Sequence, residues 1–252
     1  MSATTYMRRY LSCPVVLDNW EVETASIDKY LNHGIKPRAD DAWTAKDTLM
    51  SELIRETKTN WKAQQFEIEG SVIRTVNIVR VFTGKASPDQ VSDALWLAHR
   101  YGLITNPEHK RHGSLSLKGY TDKYCGLDCN GFVGNFLGIN SDTSIDVYGA
   151  PKNRISDVDD IDAGTTLVWY APTWKKPWAH IAVIDSVQQR GDPMVFTVVQ
   201  SGGPVQGVHD EVWTKTAKEI HRDSDKHLYL TGFGGQAKVF FCQPLEGGDP
   251  NE

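Results

Sequence analysis

The sequence predicts an α+β protein, with helices concentrated in the earlier part of the chain and an antiparallel sheet in the later part. Three observations carry this. Five β-like runs, at residues 165–171, 179–187, 194–200, 227–231 and 237–243, are separated by turn-rich gaps mostly too short for the helical crossover that parallel strands need. Two amphipathic helical patterns come before them. With 252 residues, 40% of them hydrophobic and 23% charged, the chain can bury the core of one domain, or of one domain plus an extension, and is not wholly disordered.

Along the chain, the first forty residues are mixed in period and include His33-Gly34-Ile35-Lys36-Pro37, which reads as a turn. A helix is expected over residues 44–61, where Leu49, Leu53, Ile54 and Trp61 recur at helical spacing and Thr44 is placed to cap the start. Residues 72–82 are β-branched and partly alternating, so they predict a strand. Ser87, Pro88, Asp89 and Gln90 supply an N-cap, a proline at the first helical position and acceptors in the first turn. The helix they open turns Val91, Leu95, Ala98 and Leu103 inward and ends near Gly102. The polar segment 106–123, with Pro107 and His109-Lys110-Arg111, reads as a loop. It divides the chain into 1–108, an N-terminal extension or helical/β subdomain, and 109–252, which carries the short helix from Cys129 and the sheet.

The formal charge of 27 − 32 = −5 gives no general attraction to nucleic acid or to an anionic membrane. No run approaches the eighteen or so apolar residues of a membrane span. The segment Met1-Ser2-Ala3-Thr4-Thr5-Tyr6 lacks the basic-then-apolar pattern of a secretory leader, so the expected location is the cytoplasm, or the periplasm or cell wall by a non-classical route. Four cysteines, at 13, 125, 129 and 242, are too few for a disulfide scaffold of this size.

From Cys129 onward, Phe132, Val133, Phe136 and Leu137 follow at steps of three and four, one face of a helix. Asp128 is placed to cap it, leaving Cys129 in the first turn, where free N–H groups and the helix dipole favour a thiolate. Gly131 and Gly134 allow other backbone to approach. A buried core cysteine fits the same pattern, and Cys125 is a second thiol nearby. Together with His109 and His112 the two cysteines also make a loosely spaced zinc set. A cysteine that attacks an amide needs a proton acceptor that later serves as acid, a task for one histidine. Of eight histidines, His180 stands apart, because it opens the apolar run 180–184 and alternates with Ala182 and Ile184. Gln200 ends the next run, and antiparallel pairing returns it beside His180, where its side-chain oxygen accepts the ring proton. Asp185 and His209 are the alternatives for that role, Asp185 with the wrong strand parity.

Asp128-Cys129-Asn130-Gly131-Phe132-Val133 resembles the Asp-Cys-Ser-Gly-Phe/Leu-Val signature of the NlpC-type cysteine peptidases, the papain-like family that cuts bacterial cell-wall peptides. Tyr124 and Gly126 are similar to its upstream tyrosine and glycine. Residues 164–170 are similar to its Gly-Asp-Leu-Val-Phe-Phe strand, and 180–184 to its His-Val-Gly-Ile-Tyr strand. The segment 199–203 is similar to the one that holds its third polar residue. The resemblance covers residues 120–243. Asn130 stands where serine is usual, Thr165 where aspartate is, and Gln200 where histidine is.

The resemblance implies a papain-like fold, with the helix-borne cysteine packed on the C-terminal antiparallel sheet, and hydrolysis of an amide in a peptidoglycan stem peptide or muropeptide. Cys129 would attack, His180 would exchange the proton and Gln200 would orient the ring. The Cys129 N–H, with Tyr124 nearby, would bind the oxyanion. No metal or organic cofactor is implied. Trp169, Trp174 and Trp178, with Lys175 and Lys176 between the last two, are candidates to line a cleft for apolar stem-peptide surface and a carboxylate, and Trp169 fits the core equally well. An antibacterial effector, a phage enzyme or a recycling enzyme would all suit such chemistry, and an effector would bring an immunity or inhibitor protein as partner. The alternatives are an amidase or transferase acting on a protein or small amide, and a non-catalytic binding module.

Overall fold

A computed structural model of the chain describes residues 1–17, 21–32, 36, 38–106, 111–173, 177–202, 207–231 and 237–246. They form two units, one of residues 8–128 with 203–208, the other of residues 1–7, 129–202 and 209–252. Residues 111–128 therefore belong with the N-terminal part of the chain.

In the first unit, helix α1 (Ala3–Leu11), whose opening residues belong to the other unit, leads to an antiparallel ribbon of β1 (Cys13–Val16) and β2 (Val22–Ala25). Helix α2 (Arg38–Thr57) buries Ala42, Ala45, Leu49 and Leu53 on one stripe. It starts six residues before the expected cap: Thr44 lies inside it, its hydroxyl bonded back to the Asp40 carbonyl at 3.0 Å. The helix stops at Thr57, and Lys58 takes φ 54°, so Trp61 falls beyond the stripe and is exposed.

The strand expected over 72–82 is divided. Strands β3 (Gln65–Ile68) and β4 (Ser71–Arg74) form a hairpin whose turn residues, Glu69 and Gly70, have φ 52° and 78°, as a twisted two-residue hairpin turn requires. Residues beyond Arg74 then form helix α3 (Thr75–Val81). The β-branched side chains there cost a few tenths of a kcal/mol each in a helix, roughly, less than burying Ile78 and Val81 one turn apart contributes. Helix α3 packs on α4 (Pro88–Arg100). Helix α4 opens as expected, with Ser87 Oγ accepting from the Gln90 N–H at 3.3 Å and Gln90 Oε1 accepting from the Ser87 N–H at 3.0 Å. Part of the expected loop 106–123 is helical: α5 (Leu117–Tyr124) is capped by Ser116 and buries Leu117, Tyr120 and Thr121. Its exposed Lys118 and Lys123 gave the segment its polar look.

The second unit contains α6 (Cys129–Leu137), α7 (Ile145–Tyr148) and a seven-stranded sheet. The strands are β5 (Thr166–Tyr170), β6 (Trp178–Gln189), β7 (Met194–Ser201), β8 (Val208–Lys215), β9 (Ile220–Arg222), β10 (Leu228–Thr231) and β11 (Lys238–Cys242). Their order is β8-β7-β6-β5-β11-β10-β9, antiparallel at β6–β7, β5–β6, β11–β5, β10–β11 and β10–β9. The protein is thus a mixed α+β structure with helices packed near a C-terminal antiparallel sheet. All five expected runs contain a strand. The edge strands β8 and β9 were not anticipated, because β8 alternates exposed Asp210, Val212 and Thr214 with partly buried residues and β9 has three residues.

One face of the sheet carries Leu167, Trp169, Ala182, Ile184, Phe196, Val198, Leu230, Val239 and Phe241 in one buried cluster. The alternate residues Val168, Ile181, Val183, Val199 and Phe240 are buried as well, so the central strands read as continuous apolar runs. Helix α6 packs against β6 and β7, and the Tyr6 ring lies 6.1 Å from that of Phe132 and 5.9 Å from that of Phe136. A Cβ on Gly134 would stand 2.7 Å from the Ser141 Cα, the close backbone approach expected of that glycine. The start of α1 is tied to β6: the Thr4 N–H and hydroxyl donate to the two Asp185 carboxylate oxygens at 2.9 and 3.0 Å. A negative charge at a helix N-terminus satisfies donors the helix itself leaves unpaired. Replacing Asp185 with Ala should lower the free energy of unfolding by about 2 kcal/mol, read from urea denaturation, and Asp185→Asn should cost less.

Candidate functional site

His180 is the third residue of β6, directly opposite Trp169 of β5. The facing residues Leu230, Val239, Trp169 and His180 make one row across four strands, so the histidine continues the buried apolar face to its rim. The register shifts between Trp169 and Tyr170, leaving Ala179 without a counterpart, and such a bulge re-aims the side chains beside it. The Trp169 ring meets the imidazole edge-on, centroids 4.8 Å apart at 71°.

Strand β7 runs antiparallel to β6, with Val199 facing Val183. One step on, Gln200 shares the His180 face, and its Oε1 lies 2.6 Å from His180 Nε2. The Gln200 amide nitrogen donates to Glu211 Oε1 on β8 at 2.6 Å and lies 3.3 Å from His209 Nε2. These partners fix the amide orientation, because a flipped Gln200 would set its oxygen against a carboxylate. His180 Nε2 therefore carries the proton and donates to Gln200, and Nδ1 keeps its lone pair.

Burial pushes the His180 imidazole down from 6.5 to about 4, against the opposing effect of the Gln200 hydrogen bond and with His209 adding to the depression. At neutral pH the ring is uncharged, oriented at one nitrogen and basic at the other. Sequence reasoning missed Glu211. The available signal was the parity of residues 208–215, which sets His209, Glu211, Trp213 and Lys215 on one side of a strand, but four charged or titratable residues hid it.

Cys129 is the first residue of α6 and is buried, at 4% exposure. Its helix packs on the two strands that bear His180 and Gln200. The next residue, Asn130, is tied down by its Nδ2, which donates to the Thr143 carbonyl at 2.7 Å. Asp185, a sequence alternative for orienting His180, is instead bound to Thr4, and His209 reaches Gln200. Trp178 packs on Tyr170, ring centroids 4.6 Å apart, and against Gly149, where a Cβ would stand 2.3 Å from the indole. Trp174, Lys175, Lys176, the sequence from His33 to Ile35 with Pro37, and His109 of the zinc set lie outside the described residues.

The remaining sequence candidates lie in the first unit. Asp128 pairs through its carboxylate with Lys85 at 2.8 Å, and its N–H donates to the Gly84 carbonyl at 3.0 Å. Tyr124 meets Tyr120 edge-on at 4.9 Å and has the Lys123 ammonium 5.0 Å from its ring centre. Cys125 is buried, and burial pushes its thiol up to about 12 although Arg38 opposes this, so it carries almost no thiolate at neutral pH. None of the four cysteines forms a disulfide.

Comparison with protein-family models, with curated proteins and with solved structures finds no match to this chain. Among the described residues, a group of metal-ligand type, Asp223, Asp225 and His227, sits between β9 and β10. There Asp223 Oδ1 accepts from the N–H groups of Asp225 and His227, at 3.0 and 2.9 Å, which closes the turn.

The depressed His180 value makes a measurable prediction. An unfolded histidine takes a proton near 6.5 but folded His180 only near about 4, so this group's contribution to stability is present above 6.5 and is lost as the pH falls towards 4. The His180 ring-proton NMR resonance should titrate with a midpoint near about 4, and a midpoint at the ordinary value would refute the burial assigned to the ring.

Proposed function

We propose that the chain is a papain-like cysteine amidase that hydrolyses an amide bond in peptidoglycan stem peptides, with Cys129 as nucleophile and His180 as proton carrier. The observation that carries the reading is the 2.6 Å hydrogen bond between His180 Nε2 and Gln200 Oε1. It leaves one ring nitrogen free to accept a proton, on a strand against which the Cys129 helix packs. The order Cys129, His180, Gln200 along a helix and two successive antiparallel strands is that of the family the sequence resembles. The cell-wall substrate rests on that resemblance alone.

In the proposed reaction, His180 Nδ1 takes the thiol proton and the Cys129 sulfur attacks the amide carbonyl, forming a C–S bond and an oxyanion. As the carbonyl re-forms, the C–N bond breaks and the imidazolium gives its proton to the departing amine, leaving a thioester. Water, deprotonated by the same nitrogen, then attacks the thioester; the carboxylic product leaves and the thiol is restored. Gln200 touches neither substrate nor sulfur. It is a positioning residue that holds the imidazole through its formation and loss of charge.

Incubation with muropeptides followed by mass spectrometry tests the reading. The wild type should release fragments split at one amide, Cys129→Ala should show none, and Cys125→Ala should retain turnover. Gln200→Ala should lower turnover by about 10–100-fold without abolishing it, and Gln200→His should be less damaging. A Cys129→Ala protein that still cleaves would overturn the assignment, and cleavage of other amides but not of muropeptides would keep the mechanism and change the substrate.

A further inference from the structure

His180 has a neutral partner where carboxylates are common, and Gln200 on its own offers two orientations. With its oxygen towards His180 it accepts the Nε2 proton; with its NH2 group there it donates and drives the proton to Nδ1. The second arrangement removes the lone pair that a base needs. The chain itself resolves the ambiguity two strands away. Glu211 on β8 accepts from the Gln200 amide nitrogen at 2.6 Å, as short as the His180–Gln200 bond itself, and His209 Nε2 lies 3.3 Å from the same nitrogen. A hydrogen bond to a carboxylate is shorter and stronger than one between neutral groups.

We propose that Glu211 is a positioning residue: by holding the Gln200 amide it fixes His180 in the tautomer with its proton on Nε2. The inference rests on the reading of His180 as the base, yet what it asserts is a tautomer, observable without substrate. Glu211 does not exchange a proton with His180. It remains an acceptor throughout, and its negative charge lies across the amide from the ring on which positive charge develops. A neutral glutamine backed by a carboxylate thus takes on part of the task of an acidic residue. Among the groups that meet this array, Trp169 supplies only the edge of its ring and His209 lies 3.3 Å from the amide nitrogen, so Glu211 is the carboxylate bonded to it among the described residues.

The site tolerates the test. Glu211 is partly exposed and lines a cavity of about 440 Å³ with Trp169, Trp213, Lys215, Leu230 and Val239. Truncation therefore enlarges an existing space instead of opening a sealed void in the core.

The experiment is ¹⁵N NMR of the His180 ring in the full chain, with the resonance assigned by its loss in His180→Gln, in wild type, Glu211→Ala, Glu211→Gln and Glu211→Met. Cys129 alkylation by iodoacetamide is measured alongside. The wild type should show a single Nε2-protonated tautomer. Glu211→Ala should show a mixture, with alkylation of Cys129 slowed about tenfold. Glu211→Gln, whose side-chain oxygen still accepts from Gln200, should recover the wild-type tautomer, whereas Glu211→Met, which fills the same space without a comparable acceptor, should stay as mixed as the Ala variant. A folded Glu211→Ala protein with an unchanged tautomer overturns the inference, as does a Glu211→Gln protein as mixed as the Ala variant. If the tautomer responds as expected while no amide is cleaved, the inference stands and the enzymatic reading fails.

Discussion

Val199 faces Val183, and from that register of β7 on β6 follow both the packing of the second unit and its polar array. Side chains alternate across a strand, so a slip of one residue would carry Val198 off the buried face and turn Gln200 away from His180. The apolar residues enforce the register. Ala182, Ile184, Phe196 and Val198 belong to one buried cluster, and each removed from water contributes on the order of 1–3 kcal/mol. The position of Gln200 is thus specified by hydrophobic burial two and four residues away, not by the weaker preference of a glutamine for a histidine.

A polar pair at the rim of such a core is stable only if each member is satisfied. His180 meets the condition through Gln200, and Gln200 through Glu211 and His209, so the chain of bonds runs outward from β6 to β7 to the edge strand β8. The polar residues on the inner side of β8 therefore have a structural reason. They complete hydrogen bonds for the strands beneath them, where an apolar edge strand would leave the Gln200 amide unmet.

The cysteines show how far environment outweighs residue type. Cys13, Cys125 and Cys242 are buried, and burial pushes each thiol up to about 12, so they behave as small apolar side chains at neutral pH. Cys129 is buried too, but it opens a helix packed on the strands of His180 and Gln200. The proposed chemistry requires a thiol beside a proton acceptor, and of the four cysteines Cys129 is the one that opens a helix in contact with the strands of His180 and Gln200.

The sequence by itself determined the mixed α+β architecture, the antiparallel C-terminal sheet and the capped helix at Ser87, because each is written in local terms: strand-length apolar runs, short gaps, and a cap three residues from its acceptor. It also brought His180 and Gln200 together, since strand parity and one antiparallel turn are enough to pair them. Tertiary structure alone decided that residues 75–81 are helical, that Trp61 lies off its helix, and that α5 occupies part of an expected loop. In those segments, intrinsic preference differs by tenths of a kcal/mol per residue, and burial against neighbours distant in sequence outweighs it. Glu211 was illegible for a related reason: an edge strand half in water has the composition of a loop. Its role becomes visible only when β8 lies beside β7 and the carboxylate meets the Gln200 amide.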